Sequence, residues 1–480
     1  MGKANFDGVF DVVAIGAGPA GMAAAVAARD CGASRVCVLE REEYAGGVLP
    51  QCVHDGFGLH LYGESLTGPE YAEAWRAQMR DAGAAVALST TVLGVTRNDA
   101  GLFCIDAVGL PLGGRAQVLS RSVVVATGCR ERTRGQLMIP GTRPAGVLTA
   151  GAAQYMVNVQ NQLPGDKVVI LGSGDIGLIM ARRLTLEGAE VRMVLGQKAT
   201  GLLRNHVRCI RDFGIPIRYG WGLASIHGNG KLRGVTVAPA REDGSLDMAR
   251  REYIRCNVLL VACGLIPERE IIDGLDAGEA EGLFVCGNAN VPHDLADQVT
   301  QEGIRAGQAA AAFAVRVAGV AADAQLPAGL AKLARKRVVE PHGKVADALD
   351  ADMPVGTNLV ACTVCPTGCI VAVDATGECS GNTCERGADF ARAELARPMR
   401  LFTGTVKVAG ARLPLVAVRT SAEVERTALL DVARACRHIV AAAPVSAGQV
   451  LAENVAGTGA DIVATESMPA LAAKGEPHGA

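Results

Sequence analysis

The chain has 480 residues, of which 49% are hydrophobic and 20% are charged. This composition is typical of globular proteins and excludes a disordered or fibrous chain, and the length predicts about three domains at roughly 150 residues each. A formal net charge of −2 gives no basis for electrostatic capture of nucleic acid or of an anionic membrane.

The N-terminus and a late apolar stretch bear on localisation. Residues 1–8 lack the basic, apolar and small-residue order of a signal peptide. Residues 306–322 are interrupted by Arg316 and are too short to span a bilayer. We therefore expect a cytoplasmic protein with no transmembrane segment, in which the 15 cysteines are reduced rather than paired.

A long-range repeat predicts two nucleotide-binding units. Residues 12–21 (VVAIGAGPAG) form an apolar strand that leads into G-x-G-x-x-G, and residues 168–177 (VVILGSGDIG) repeat the pattern. Each unit later has a strand that ends in Ala-x-Gly, at 123–128 and 259–264. Glycine, at 59 residues, is in excess partly because these loops repeat. The pattern predicts two βαβ units, the first interrupted by the second.

The resulting fold class is α/β, with two interleaved Rossmann-like domains of three layers (ββα) and a small C-terminal α+β domain. The predicted divisions are 9–150 (first part of an FAD-binding domain), 151–275 (NAD(P)-binding-like domain), 276–318 (second part of the FAD-binding domain), 319–357 (linker) and 358–466 (four-cysteine iron–sulfur domain).

The first glycine motif predicts a dinucleotide site. Gly16 permits the tight turn, Gly18 lets the backbone approach a pyrophosphate and Gly21 allows close helix packing. The phosphate then sits at a helix N-terminus, where the dipole is positive. Glu40, at the end of the second strand, is placed to accept hydrogen bonds from a ribose.

Other features favour FAD over a shorter nucleotide. The chain returns at Gly287 and Asn288 before a helix, which suits a backbone that closes over a long dinucleotide. Gly46 and Gly47 precede a segment that passes near the isoalloxazine in such a fold.

That segment contains candidate redox and proton-transfer residues. Cys52 is a candidate redox thiol, and His54 or His60 is a candidate proton donor. A structural role is the alternative for each of them.

The second glycine motif leaves two interpretations open. Gly172, Gly174 and Gly177 repeat the phosphate cradle and predict NAD(P), but Gly196 stands where the first unit has its acid. Gln197 and Lys198 follow, and a lysine there suits either a 2′-phosphate or a solvated turn. The unit is therefore either a working NAD(P) site or a retained fold with an idle or repurposed pocket.

Residues 9–318 resemble the two-dinucleotide-binding flavoproteins, the superfamily of thioredoxin reductase and glutathione reductase. They are more closely similar to the flavoproteins that accompany anaerobic-type glycerol-3-phosphate dehydrogenases, and to the α subunits of opine, proline and hydroxyproline dehydrogenases. The strings that carry the resemblance are GGVLPQCVHDGFGLH (46–60), LTGPEYAE (66–73), ATGCRERTRG (126–135), IPGTRPAGVLTAG (139–151) and LGSGDIGLIMARRLTLEGA (171–189).

The resemblance implies further cofactor contacts and one departure. It places Thr127 and Gly128 in the FAD site, and it matches Gln298 and Val299, which follow Asp297, to the segment that presents backbone groups to the flavin. Thioredoxin reductases carry a C-x-x-C where this chain has residues 151–153 (GAA). The usual thiol–disulfide exchange is therefore not expected.

Five cysteines crowd into 23 residues of the C-terminal part and predict a metal centre. Cys362, Cys365, Cys369 and Cys384 have the spacing of an iron–sulfur cluster, in which a compact loop supplies three thiolates and a later cysteine the fourth. A zinc ribbon that uses Cys379 instead of Cys369 is the first alternative, and free thiols are the second.

The C-terminal part also carries a resemblance. TVCPTGC and residues 381–408 resemble the small cysteine domain found beside these flavoproteins, and the [4Fe–4S] domain of molybdopterin oxidoreductases. The remaining tail lacks further molybdopterin-binding sequence, so this likeness implies a cluster and no molybdenum.

Together these features predict an FAD-dependent oxidoreductase. It would pass electrons between the cluster and either a nicotinamide or a partner dehydrogenase subunit, within a glycerol-3-phosphate or amino-acid/opine type dehydrogenase complex. The expected partners are an electron-acceptor protein or quinone-linked partner, together with a second flavoprotein subunit. The alternatives are a stand-alone NAD(P)H-dependent reductase that uses Cys52, and a non-catalytic assembly subunit with a zinc ribbon.

Overall fold

The structure is a computed structural model that describes residues 6, 8–196, 210–275, 280–319, 325–336, 338, 358–365 and 367–471. Strands and helices alternate along most of it. The α-helices with described bounds are α1 (Pro19–Asp30), α2 (Gly68–Asp81), α3 (Ala150–Asn158), α4 (Asp175–Leu186), α5 (Ala296–Val317), α6 (Ala328–Arg335), α7 (Glu385–Ala396) and α8 (Leu429–Cys436).

The strands are mostly short. In chain order they are β1 (Val9–Ile15), β2 (Val36–Leu39), β3 (Asp55–Phe57), β4 (Leu66–Thr67), β5 (Ala85–Ala87), β6 (Thr90–Arg97), β7 (Phe103–Gly109), β8 (Gly114–Val125), β9 (Cys129–Glu131), β10 (Val147–Thr149), β11 (Lys167–Leu171), β12 (Glu190–Gly196), β13 (Ile217–Tyr219), β14 (Trp221–Asn229), β15 (Lys231–Pro239), β16 (Glu252–Arg255), β17 (Val258–Val261), β18 (Leu265–Pro267), β19 (Leu283–Val285), β20 (Asn358–Ala361), β21 (Ile370–Val373), β22 (Cys379–Ser380), β23 (Met399–Arg400), β24 (Thr403–Ala409), β25 (Leu415–Thr420), β26 (Val424–Glu425), β27 (Val440–Ala442), β28 (Val450–Ala452) and β29 (Ile462–Ala464).

The chain forms two units, the first from residues 1–130 and 265–338 and the second from residues 131–264 and 339–471. The sequence places these divisions at 150/151 and 275/276 instead. The structure moves them because Val147–Thr149 pairs with β17 in the second unit, while Ile271, Ile272 and Leu275 pack in the core of the first.

The first unit is a three-layer sandwich. Its parallel strands run in the order β5-β2-β1-β8 with β19 beside β8, and β7 and β6 continue antiparallel from β8. Side chains alternate across β1: Val12 and Ala14 pack against α1, α2 and α5, whereas Val13 and Ile15 pack with Phe103 of β7. Both faces are buried, which explains why residues 12–15 of β1 form a continuous apolar run.

Helices α1 and α5 of this unit approach each other through small residues. A Cβ added at Gly303 would lie 2.2 Å from the Ala20 carbonyl oxygen, and one at Gly307 would lie 2.1 Å from that of Ala24. The two helix backbones therefore touch, and only glycine fits at these two positions of α5.

Part of the predicted linker is folded. Helix α6 buries Leu330 and Ala334 in the core of the first unit. The Gln301 side-chain amide donates to the carbonyls of Leu333, at 2.8 Å, and Lys336, at 2.6 Å. The segment 325–336 is thus part of the flavoprotein fold.

The second unit begins with the same three-layer plan. Its parallel sheet runs β10-β17-β11-β12-β13. Val168 and Ile170 of β11 face α3 and α4, whereas Val169 faces Ile226 and Val235 of the β14-β15-β16 sheet.

The C-terminal part of the second unit packs on α4. Its five-stranded sheet, β27-β24-β25-β29-β28, and α8 enclose a core that also contains Leu186, the last residue of α4. Arg183 of α4, 4% exposed, donates to Thr405 Oγ1 at 2.9 Å and to Asn158 Oδ1 at 2.6 Å. A smaller layer, β20-β21-β22 with α7, carries the cysteine segment.

Among the described helices, none combines the length and apolarity that crossing a membrane requires.

Candidate functional site

The first glycine motif forms the turn between β1 and α1. Gly16 has φ +100°, and a Cβ there would lie 2.5 Å from the Ala126 carbonyl oxygen. A Cβ at Gly21 would lie 1.8 Å from the Gly16 carbonyl oxygen, so the helix packs directly on the turn. Gly18 is the N-cap of α1 and supplies no side-chain cap, which leaves the N–H groups of the first helical turn directed outward. The arrangement is suited to an anion.

Glu40 lies beside this turn. Its side chain is 5% exposed, and its two carboxylate oxygens accept hydrogen bonds from the backbone N–H groups of Ala17 (2.6 Å) and Glu42 (2.9 Å). A carboxylate offers about four lone-pair sites, so acceptor capacity remains for ribose hydroxyls. The acid predicted from sequence is therefore held against the phosphate loop.

Gly46 and Gly47 meet the same loop from the other side. A Cβ at Gly47 would lie 3.0 Å from the Gly18 Cα, and the Gly46 N–H donates to the Ala17 carbonyl at 2.8 Å. The site fits FAD in two respects. The glycine backbones and the uncapped helix N-terminus suit its pyrophosphate, and Glu40 suits its adenosine ribose.

The end of β8 is fixed by the segment that returns to the first unit. The Thr127 hydroxyl donates to the Glu268 carbonyl, and the Gly128 carbonyl accepts from the Glu268 N–H at 2.9 Å. Gly128 has φ +76° with open space where a Cβ would be. The strand end is therefore ordered and unobstructed.

The return segment at Gly287 carries two residues that sequence reasoning missed. The Gly287 N–H donates to Glu302 Oε2 at 2.8 Å, and Glu302 Oε1 lies 2.7 Å from His293 Nε2. Asn288 Oδ1 accepts from the His293 N–H at 2.9 Å. Glutamate and histidine separated by nine residues around a turn give no recognisable motif, so only the fold brings them together.

The N-terminus of α5 holds the loop that precedes Leu61. Asp297, 3% exposed, accepts from the backbone N–H groups of Gly58 (3.2 Å) and His60 (2.9 Å). Burial raises the pKa of Asp297, against these two hydrogen bonds. The following residues, Gln298 and Val299, lie in the first turn of the helix, and a Cβ at Gly287 would lie 2.9 Å from Val299 Cγ1.

Cys52 packs against Gly68, the first residue of α2. Its carbonyl accepts from the Gly68 N–H at 2.9 Å, and a Cβ at Gly68 would lie 2.8 Å from the Cys52 Cβ. Burial raises the pKa of the Cys52 thiol to about 12. The thiol is therefore in its protonated form at pH 7.

The two histidines near Cys52 differ in environment. The His54 ring lies against the Phe57 ring, with 5.0 Å between centroids. Burial lowers the pKa of His60, with Asp297 opposing the shift and Lys336 adding to it. His60 is therefore neutral at pH 7.

The second glycine motif repeats the turn between β11 and α4. Gly172 has φ +121°, and a Cβ at Gly177 would lie 2.2 Å from the Gly172 carbonyl oxygen, as in the first unit. Gly174 is the N-cap of α4 with no side-chain cap, and Asp175 adds an acidic side chain in the first turn.

Where the first unit places its acid, the second has no room for a side chain. Gly196 ends β12, and a Cβ there would lie 2.1 Å from Ser173 Oγ. Ser173 is 5% exposed. Gln197 and Lys198 lie outside the described residues. The missing ribose acceptor is thus a consequence of packing as well as of sequence.

Of the four predicted cluster ligands, Cys362 is buried, Cys365 and Cys369 are half-buried and Cys384 is exposed. Burial, and after it the thiols of Cys369, Cys365 and Cys384, raise the pKa of Cys362, against a hydrogen bond from the Val364 backbone. Among the residues that the structure describes, no three His, Cys, Asp or Glu side chains form a group that could hold a metal ion. The set matches a cluster in donor type, and a closed ligand geometry is not formed in the part of the chain that the structure describes.

The fifth cysteine, Cys379, lies close to two backbone carbonyl oxygens. Cys379 Sγ lies 3.7 Å from the Ala388 carbonyl oxygen and 3.8 Å from that of Gly377. The thiols that act on Cys362 are those of Cys369, Cys365 and Cys384. Cys369 and Cys379 both pack against the small core that contains Cys362, so the cluster set and the zinc set both remain predictions.

Residues 10–307 match the family described as pyridine nucleotide-disulphide oxidoreductase. The chain belongs to that family. It is an FAD-dependent oxidoreductase with a Rossmann-like fold, as the sequence predicts. Residues 385–466 match a second family, described as a protein of unknown function (DUF1667), which begins directly after Cys384.

Similar proteins of this family include named subunits of larger enzymes. Hydrogen cyanide synthase subunit HcnB of Pseudomonas protegens is 29% identical over 336 residues, 62% of this chain and 67% of HcnB. The A subunit of opine oxidase from Agrobacterium tumefaciens is 34% identical over 195 residues, 39% of this chain and 36% of that protein. The alpha subunit of sarcosine oxidase from a Corynebacterium species is 27% identical over 269 residues, 54% of this chain and 26% of that protein. The match thus spans less than half of the two oxidase subunits.

Thioredoxin reductases share the fold of this family member. The enzyme of T. acidophilum superposes with a TM-score of 0.51 at 21% identity, and the match covers 65% of this chain and 99% of that one. The Lactococcus lactis enzyme gives a TM-score of 0.51 at 20% identity, with 64% of this chain and 99% of that one covered. These likenesses concern the fold alone.

Proposed function

We propose that this chain is the FAD-bearing electron-transfer subunit of a dehydrogenase complex, with Cys362, Cys365, Cys369 and Cys384 as ligands of a [4Fe–4S] cluster. The observation that carries the proposal is the contrast between a complete first cradle and a second one in which Ser173 fills the acid position at Gly196. A nicotinamide is therefore a poorer candidate donor than a partner dehydrogenase subunit.

The residues of the first unit would hold FAD. The turn from Gly16 to Gly21 receives the pyrophosphate, and Glu40 accepts from the ribose, since both stand at the N-terminus of α1. When bound, FAD accepts electrons in pairs from an organic donor, and the cluster carries them singly towards a one-electron acceptor. The chain supplies binding sites and leaves substrate recognition to its partner.

The relatives support the complex and its substrate class. HcnB and the related opine oxidase and sarcosine oxidase chains are all named as subunits. Two of the names contain opine and sarcosine, which favours an amino-acid or opine donor over glycerol 3-phosphate. The proposed partners are an acceptor protein or quinone-linked carrier, together with a second flavoprotein subunit.

The test is anaerobic purification of the full chain from its native host. We expect about one FAD per chain, equal amounts of iron and acid-labile sulfide, and a copurifying dehydrogenase subunit. Cys384→Ser should lose iron, whereas Cys379→Ser, a matched variant in the same segment, should retain it. Zinc in place of iron, or rapid flavin reduction by NADH or NADPH without a partner, would overturn the proposal.

A further inference from the structure

We propose that the Thr383 hydroxyl raises the reduction potential of the cluster by donating a hydrogen bond to Cys369. The inference rests on the proposed four-cysteine cluster. It assigns a role to a residue that is neither a ligand nor part of the cysteine spacing.

The contact joins two parts of the cysteine segment. Thr383 Oγ1 lies 3.2 Å from Cys369 Sγ, within the range of a hydrogen bond to sulfur. Cys369 belongs to the first loop of thiols, whereas Thr383 directly precedes Cys384. A metal-bound thiolate carries no proton, so with the ligands in place the hydroxyl is the donor.

The turn that carries Thr383 is fixed by its backbone. Gly381 has φ +82°, and a Cβ there would lie 2.4 Å from the carbonyl oxygen of Ile370, the residue after Cys369. The Asn382 side-chain amide donates to the Cys384 carbonyl at 3.2 Å. Thr383 is thus held beside Cys369 by two contacts that do not involve its own side chain.

A second threonine makes a similar contact. The Thr367 hydroxyl hydrogen-bonds the Cys365 thiol. Hydrogen bonds to the sulfur ligands are one of the factors that set the potential of such clusters, because they stabilise the more negative, reduced form. Thr383 and Thr367 would therefore act in the same direction on two different ligands.

The experiment compares midpoint potentials of the cluster in the anaerobically purified full chain, measured by EPR at poised potentials with dithionite as reductant. Thr383→Val is nearly isosteric and removes only the hydroxyl, on an exposed side chain. We expect a more negative potential, with the reduction equilibrium weakened up to about tenfold, or about 59 mV for one electron. Thr383→Ser should restore the wild-type potential.

The outcomes separate this inference from the proposed function. Protein without iron or sulfide contradicts the proposed cluster and this inference with it. Protein with a full cluster and equal potentials in wild type and Thr383→Val leaves the proposed function intact and overturns the role of Thr383. A shift that Thr383→Ser fails to restore assigns the effect to packing and also overturns it.

Discussion

The two phosphate cradles have the same glycines and different surroundings. In the first, Glu40 reaches back to the Ala17 N–H, whereas in the second the matching Ser173 turns its hydroxyl into the space beside Gly196. One site keeps its ribose acceptor and the other has filled the position. The two units therefore share the turn that shapes the backbone and differ in the side chain that lies beside it.

The helices that leave the two cradles also differ in what covers them. Helix α1 packs against α5, through Ala20 and Gly303, inside the flavoprotein fold. Helix α4 instead contributes Arg183 and Leu186 to the contact with the C-terminal part. In the second unit, the helix that follows the glycine turn therefore also packs against the C-terminal part.

The largest expected effect tests whether only the first cradle binds flavin. Gly18→Val places a side chain between α1 and the phosphate while its φ of −71° tolerates one, so we expect about a thousandfold weaker FAD binding, about 4 kcal/mol. Gly174→Val, with a φ of −72°, is the matched control and should keep its flavin. Flavin absorbance per chain measures both, and equal loss in the two variants would contradict the comparison.

The next largest effect tests how the C-terminal part of the second unit is held against the domain that contains α4. Arg400 is 6% exposed and bonds Asp212 Oδ2 at 2.7 Å and Glu394 Oε2 at 2.8 Å. Arg400→Met leaves two carboxylates without their cationic partner and should lower the free energy of unfolding of the second unit by about 3 kcal/mol. The exposed Arg397→Met is the control.

Chemical denaturation followed by Trp221 fluorescence in a Trp75→Phe background reports this unit. A shift no larger than that of the control would show that the ion-pair network does not hold the C-terminal part in place.

A smaller effect tests the position at which the first unit has Glu40 and the second has Gly196. Gly196→Ala forces a Cβ to within 2.1 Å of Ser173 Oγ, so we expect a loss of about 2 kcal/mol by overpacking. Ser173→Gly in the same chain should recover most of it. Additive losses in the double variant, measured in the same Trp221 assay, would mean that Ser173 is not what excludes a side chain.

The smallest effect concerns Cys52. With its pKa raised by burial from 9.0 to about 12, the thiol should resist iodoacetamide at pH 8 and react only as the pH approaches 12. The stability that depends on the protonated thiol is present below pH 9 and is lost as the pH rises through 12.

Cys52→Ser should change flavin reduction by its donor less than about twofold. A large loss would restore Cys52 as a redox residue.

Sequence reasoning predicted some parts of the site and missed others for identifiable reasons. The turns at Gly16 and Gly172 and the placement of Glu40 beside the first turn were predictable, because such turns restrict residue type at fixed spacing. Glu302 and His293 were not, since their contact depends on how the return segment folds onto α5. The pair Gly303 and Gly307 did carry a signal, a G-x-x-x-G in a helix, that indicates close helix packing.

Local spacing along the chain was enough to predict the two Rossmann-like units, the FAD cradle and the clustering of cysteines. The three-dimensional packing determined which of these features remain usable. It packed Cys52 against Gly68, filled the space at Gly196 with Ser173, and folded residues 325–336 onto the first unit. Close packing and steric exclusion are set by residues far apart in the chain, and no local pattern encodes them.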